Sequence, residues 1–79
     1  MNVEPAEATS NAIWASVLSK RELEVALLAA RGLSNKEVAS KLDVAEQTIK
    51  QHMHRILHKL GAPSRYNLIL SMKAINFKQ

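Results

Sequence analysis

The sequence predicts an all-α domain of four helices, and three observations predict it. β-branched residues are scattered, and no stretch of useful length alternates apolar with polar as a half-buried strand does. The pattern Ser-x-x-Glu occurs twice, as Ser19-Lys20-Arg21-Glu22 and Ser34-Asn35-Lys36-Glu37. In such a capping box the serine accepts from a free backbone N–H at a helix start, and the glutamate reaches back to the capping residue. Finally, Ile49, Met53, Ile56 and Leu60 recur at helical spacing with Leu57 at the edge of their stripe, opposite a face of Gln47, Lys50, Gln51, His54 and His58.

The elements follow in order. Residues 1–12 are rich in Ala, Glu, Ser and Thr and are expected to form a flexible tail or linker, leaving 13–79 as the domain. Ile13, Trp14 and Val17 form an apolar cluster just ahead of the first helix, with Trp14 read as core. That helix starts after Ser19 and stops at Gly32, a residue that accepts the positive φ common past a helix end. A second helix starts after Ser34 and runs to about Leu42, and Asp43-Val44-Ala45 is the turn that follows. The third runs from Glu46 to Leu60 and stops at Gly61. Pro63-Ser64 opens the fourth, which reaches roughly to Ile75.

Two of these helices hold more apolar residues than one buried face needs. On the first, Leu23 and Leu27 fall together with Ala26 and Ala30, while Val25, Leu28 and Ala29 lie on other sides, so that only Glu24 and Arg31 form a polar strip. A helix apolar nearly all round is covered on more than one side. Cover by Ile13, Trp14 and Val17 is the favoured reading, and a second subunit or a regulatory domain is the other. The fourth helix carries Leu68, Ile69, Leu70, Met72 and Ile75.

A chain of 79 residues holds one small domain with a modest core, and without cysteine neither a disulfide nor a cysteine-ligated zinc braces it. No apolar run is long enough to span a membrane and no signal peptide is visible, so a cytoplasmic protein is expected. An enzyme is not: there is no Ser/His/Asp grouping, carboxylate pair or phosphate-cradling glycine loop. No cofactor or metal is expected either. His54 and His58 stand one turn apart, a spacing that permits a shared ion, but cysteine and nearby carboxylates are missing from that half.

The net charge of +4 and pI near 9.8 are weak signals; the distribution is stronger. All acidic residues lie at or before Glu46, whereas Lys50, Arg55, Lys59, Arg65, Lys73, Lys78 and all three histidines follow it. A surface built from that half attracts phosphates. An α-helix fits the major groove and presents one face to base edges, which the divided third helix provides. The segment from Gly32 to Gly61 therefore reads as a helix-turn-helix made by the second and third helices.

The chain resembles the LuxR/NarL-type (GerE-like) helix-turn-helix domain of bacterial transcription regulators. The resemblance lies in Leu18-Ser19-Lys20-Arg21-Glu22, in Gly32-Leu33-Ser34-Asn35-Lys36-Glu37-Val38-Ala39, in Thr48-Ile49-Lys50-Gln51-His52 and in Lys59-Leu60-Gly61, and spans about Val17 to Ile75. It implies sequence-specific binding of double-stranded DNA as a homodimer. Lys50, Gln51 and His54 would contact bases, and Asn35, Lys36, Thr48, Lys59 and Arg65 would contact phosphates. Leu68, Ile69, Met72 and Ile75 of the fourth helix would form the dimer interface. An upstream regulatory domain, as in a response regulator whose output domain this is, or RNA polymerase would be a further partner. His52, the family's usual residue at its place, borders the core stripe, where packing or hydrogen bonding competes with DNA contact.

Three departures stand out. Ala45 replaces the family's usual Ser or Thr before the third helix, a lost N-cap of about 1 kcal/mol. Leu23 and Leu27 replace polar residues, and Lys20 stands where proline is common. Arg65 has a carboxylate such as Glu22 as an alternative partner to phosphate. Two alternative functions follow. One is a protein-interaction module that docks a partner through the first and fourth helices and binds DNA weakly; the other is a sigma-factor region 4-like domain.

Overall fold

The computed structural model describes the backbone of residues 13–77 and the side chains of residues 13–71. A helical segment at 13–17 bends at Leu18 into α1 (Lys20–Ala30), followed by α2 (Asn35–Leu42), α3 (Glu46–Leu60) and α4 (Tyr66–Phe77). No strand occurs among the described residues. None of the described helices is long and apolar enough to cross a membrane.

Both capping boxes form. Ser19 Oγ accepts from the Glu22 N–H at 3.2 Å, and Glu22 Oε1 accepts from the Ser19 N–H at 2.9 Å. At α2 the corresponding bonds between Ser34 and Glu37 are 3.1 and 2.7 Å. Helix α3 starts differently. Ala45 has the extended backbone of an N-cap, φ −72° and ψ 148°, but no side-chain bond closes the first turn.

The helix ends differ in how they reach the left-handed region. Gly32 and Gly61 take φ of 96° and 64°, as their sequence positions predict. The end of α2 does so at Asp43, with φ 58° and ψ 48°, the one positive-φ residue other than glycine among those described. Aspartate tolerates this conformation better than most side chains. The turn closes with the Val44 N–H donating to the Ala39 carbonyl at 3.0 Å.

The fourth helix begins later than Pro63-Ser64. Asn67 Oδ1 accepts from both the N–H and the hydroxyl of Ser64 at 3.2 Å, which folds the chain ahead of Tyr66 onto the first turn of the helix.

Helix α1 sits at the centre and touches all three others, α2 and α3 pack on each other, and α4 rests on α1. Val25, Ala26 and Ala29 of α1 have no exposed surface, and their small side chains let neighbouring helices approach. Leu23 and Leu27 are half-buried against this core, so part of their cover is internal. It does not come from the whole Ile13–Trp14–Val17 cluster, however. Trp14 and Leu18, four apart on one face of the leading helical segment, turn inward, whereas Ile13 and Val17 lie on the adjacent face and are exposed.

Leu68, expected at a dimer interface, is 2% exposed and belongs to the domain's own core, where α4 meets α1. That takes it off any surface a second subunit reaches. Ile69 is half-buried, and among the described side chains of α4 the large apolar residues exposed are Tyr66 and Leu70. Met72 and Ile75 lie outside the residues whose side chains are described.

Candidate nucleic-acid interface

The sequence divides α3 into two faces, and packing keeps them apart. Ile49, Met53 and Ile56 are buried where α3 meets α1 and α2. Lys50, Gln51 and His54 are exposed, as are Gln47, Arg55 and His58. Lys50, His54 and His58 succeed one another at intervals of four residues, which makes a strip about 12 Å long at 1.5 Å per residue. The major groove of B-DNA is about 12 Å wide. The only carboxylate on this helix is Glu46, in its first turn.

The residues expected near phosphate separate into two groups. Asn35 and Lys36 open α2, and Thr48 lies in the first turns of α3. Lys36 is exposed, and Asn35 and Thr48 are half-buried. Helix N-termini present free N–H groups and partial positive charge, which suits anions.

Lys59 and Arg65 are instead engaged within the domain, Lys59 from an exposed position and Arg65 from a half-buried one. Lys59 Nζ donates to Glu22 Oε1 at 2.7 Å, with the carboxylate nearly buried. The Arg65 guanidinium donates to Asn35 Oδ1 and to the Leu33 carbonyl, fastening the α3–α4 connection to the start of α2. The alternative pairing of Arg65 with Glu22 is not made. Asn35 accepts from Arg65 through its oxygen, so its amide N–H groups remain as the donors it can offer an anion.

Glu22 thus joins the start of α1 to the end of α3. The Lys59 hydrogen bond, followed by the Ser19 backbone N–H, lowers its carboxyl below the ordinary value of 4.5, against the opposing effect of burial. The sequence shows the capping role but not the ion pair, whose partners lie 37 residues apart and on no common period.

His52 lies between the two faces of α3. It is half-buried, and its Nδ1 is buried without a hydrogen-bond partner in the protein. No group of three or more His, Cys, Asp or Glu able to hold a metal occurs among the described residues.

Comparisons with known proteins give the family of the chain. The family described as bacterial regulatory proteins, luxR family (GerE), matches residues 16–72. The nitrate/nitrite response regulator protein NarP of Escherichia coli (strain K12) is 52% identical over 50 residues, which cover 63% of this chain and 23% of that protein. The oxygen regulatory protein NreC of Staphylococcus aureus (strain JH9) is 44% identical over 64 residues, covering 77% of this chain and 30% of NreC. The chain therefore spans less than a third of the length of these relatives. No solved structure gives a significant match.

Proposed function

The chain belongs to the luxR family of bacterial regulatory proteins, and from that membership we propose that it binds double-stranded DNA sequence-specifically to regulate transcription. The observation that carries this reading is the exposed Lys50–Gln51–His54 face of α3, backed by the buried Ile49–Met53–Ile56 stripe. A rigidly seated helix with one face of hydrogen-bonding side chains meets the requirement for entering the major groove. Lysine donates to guanine O6 and N7, glutamine pairs with adenine, and histidine offers a donor or an acceptor.

Phosphate contacts from Asn35, Lys36 and Thr48, with the N-termini of α2 and α3, would fix the register. They supply much of the affinity but no sequence information. Lys59 and Arg65 have a different part in this reading. They hold α3 and the start of α2 in place, and thereby position the groups that touch DNA.

The protein acts as a dimer on two half-sites. Ile69, Tyr66 and Leu70 supply apolar surface on α4, with Met72 and Ile75 further along the same helix. An upstream regulatory domain would control this output domain, a reading supported by the greater length of its relatives and by the response-regulator name of one of them. The alternative of a docking module is weakened by Leu23 and Leu27, which pack against the core and leave α1 little free apolar surface.

Selection of bound sequences from random DNA tests the proposal. The expected product is a pair of half-sites related by two-fold symmetry. A lone half-site would overturn the dimer, and no enrichment at all would overturn base reading by α3.

A further inference from the structure

Two of the three members of the exposed α3 strip, His54 and His58, are imidazoles. Histidine is the side chain whose charge ordinarily changes between about pH 5 and 8. Lysine or arginine at the same places would hold its charge throughout that range. Resting on the reading that this face meets DNA, we propose that DNA binding takes up protons at His54 and His58, so that affinity rises as the solution becomes more acidic.

The charged groups nearest the two histidines in the free protein are cations. Within α3, Lys50 lies one turn before His54 and Arg55 three residues before His58. Glu46 is two turns from His54. The acidic groups of the neighbouring helices are engaged or remote. Glu22 of α1 is held by Lys59, and Glu24 pairs with Arg21 at 3.2 Å. Glu37 of α2 is bound into its cap, and Asp43 ends that helix, whose other charges, Lys36 and Lys41, are exposed cations, as is Arg31 just after α1.

The two ion pairs among the described residues use neither histidine. DNA reverses the environment. Phosphates replace cations as the nearest charges and favour the imidazolium. The protonated ring also donates from both nitrogens, to phosphate oxygens or to guanine O6 and N7, where the neutral ring has one donor. Protons are therefore bound more tightly in the complex than in the free protein, and affinity falls as pH rises.

The test is a titration of the full chain against a fluorescent mixed-sequence duplex of about 20 base pairs, at fixed ionic strength, from about pH 6 to pH 8. The expected result is a loss of affinity of roughly tenfold across that range. The double substitution H54Q/H58Q flattens the dependence, and H54K/H58K, with fixed charge, binds tightly at both ends. Salt-sensitive binding by the unmodified protein that does not change with pH would overturn the linkage and leave the DNA reading standing. An unchanged slope in H54Q/H58Q would overturn it too, since the protons would then enter elsewhere, His52 included. Absence of salt-sensitive binding at every pH would overturn the DNA reading and the linkage together.

Discussion

Helix α1 opens on a complete capping box and is apolar around most of its circumference, whereas α3 opens on a bare alanine and is apolar along one stripe. The first is enclosed by the other three helices; the second shows its outer face to solvent. Support and the proposed reading surface are therefore separate elements in this small domain. They meet at the Glu22–Lys59 pair, which ties the start of one to the end of the other at 2.7 Å. Substitutions that act on one helix and spare the other test how far that separation holds.

The largest effect is expected at Ile56, which has no exposed surface and anchors α3 in the core. Ile56→Ala should cost about 2–5 kcal/mol, enough to leave much of so small a domain unfolded. Urea denaturation followed by circular dichroism measures it. A cost below about 1 kcal/mol would mean that α3 is held mainly by its polar ties, and the comparison would fail at its base.

Next comes the link itself. Glu22→Gln keeps an acceptor for the Ser19 N–H but removes the charge that engages Lys59. Because the native Glu22 carboxyl is held below its ordinary value of 4.5, its stabilisation is present above that pH and is lost as pH falls through the lower native value. The variant should be less stable by about 1 kcal/mol near neutrality, since freed Lys59 is readily hydrated, and the difference should vanish in acid. Urea midpoints at neutral pH and well below 4.5 decide the matter. Equal stabilities at neutrality would show that the cap alone matters and that the two helices are not coupled through this pair.

A smaller effect, of opposite sign, is expected at the start of α3. Ala45 already has the backbone of an N-cap, so Ala45→Ser supplies the missing oxygen without rearrangement. The gain should be about 0.5–1 kcal/mol, read as a raised melting temperature. No gain would show that packing of the first turn, by Ile49 in particular, already holds it, and the contrast between the two helix starts would lose its energetic meaning.

What was legible in the sequence follows the same division. Both capping boxes, the bounds of α3 and its two faces were readable, because they depend on residues within a turn or two of each other. The bonds from Lys59 to Glu22 and from Arg65 to Asn35 span 37 and 30 residues and depend on how helices meet, which no local pattern reports. Leu68 was misplaced for the same reason. An apolar-rich helix shows that much of it is covered, but which side turns inward is settled by the seat that α1 provides. Asp43 is a further case: Asp-Val-Ala reads as a turn, yet nothing marks the aspartate as left-handed except the close approach of α2 and α3 on either side.

The smallest change in stability is expected where the change in function is greatest. Lys50 is exposed, projects from the outer face of α3 and makes no ion pair with the described residues, so Lys50→Ala should alter unfolding free energy by less than about 0.5 kcal/mol. On DNA it should flatten the sequence preference found by selection. Lys36→Ala, also exposed but at the start of α2, should weaken binding alike on all sequences and lower the salt dependence by about one counterion. The pair of variants separates discrimination from attraction on a fold that neither disturbs. An intact preference in Lys50→Ala would move the reading surface away from α3. A marked loss of stability would instead show that the open face of α3 also supports the fold, and that support and reading surface are not separate after all.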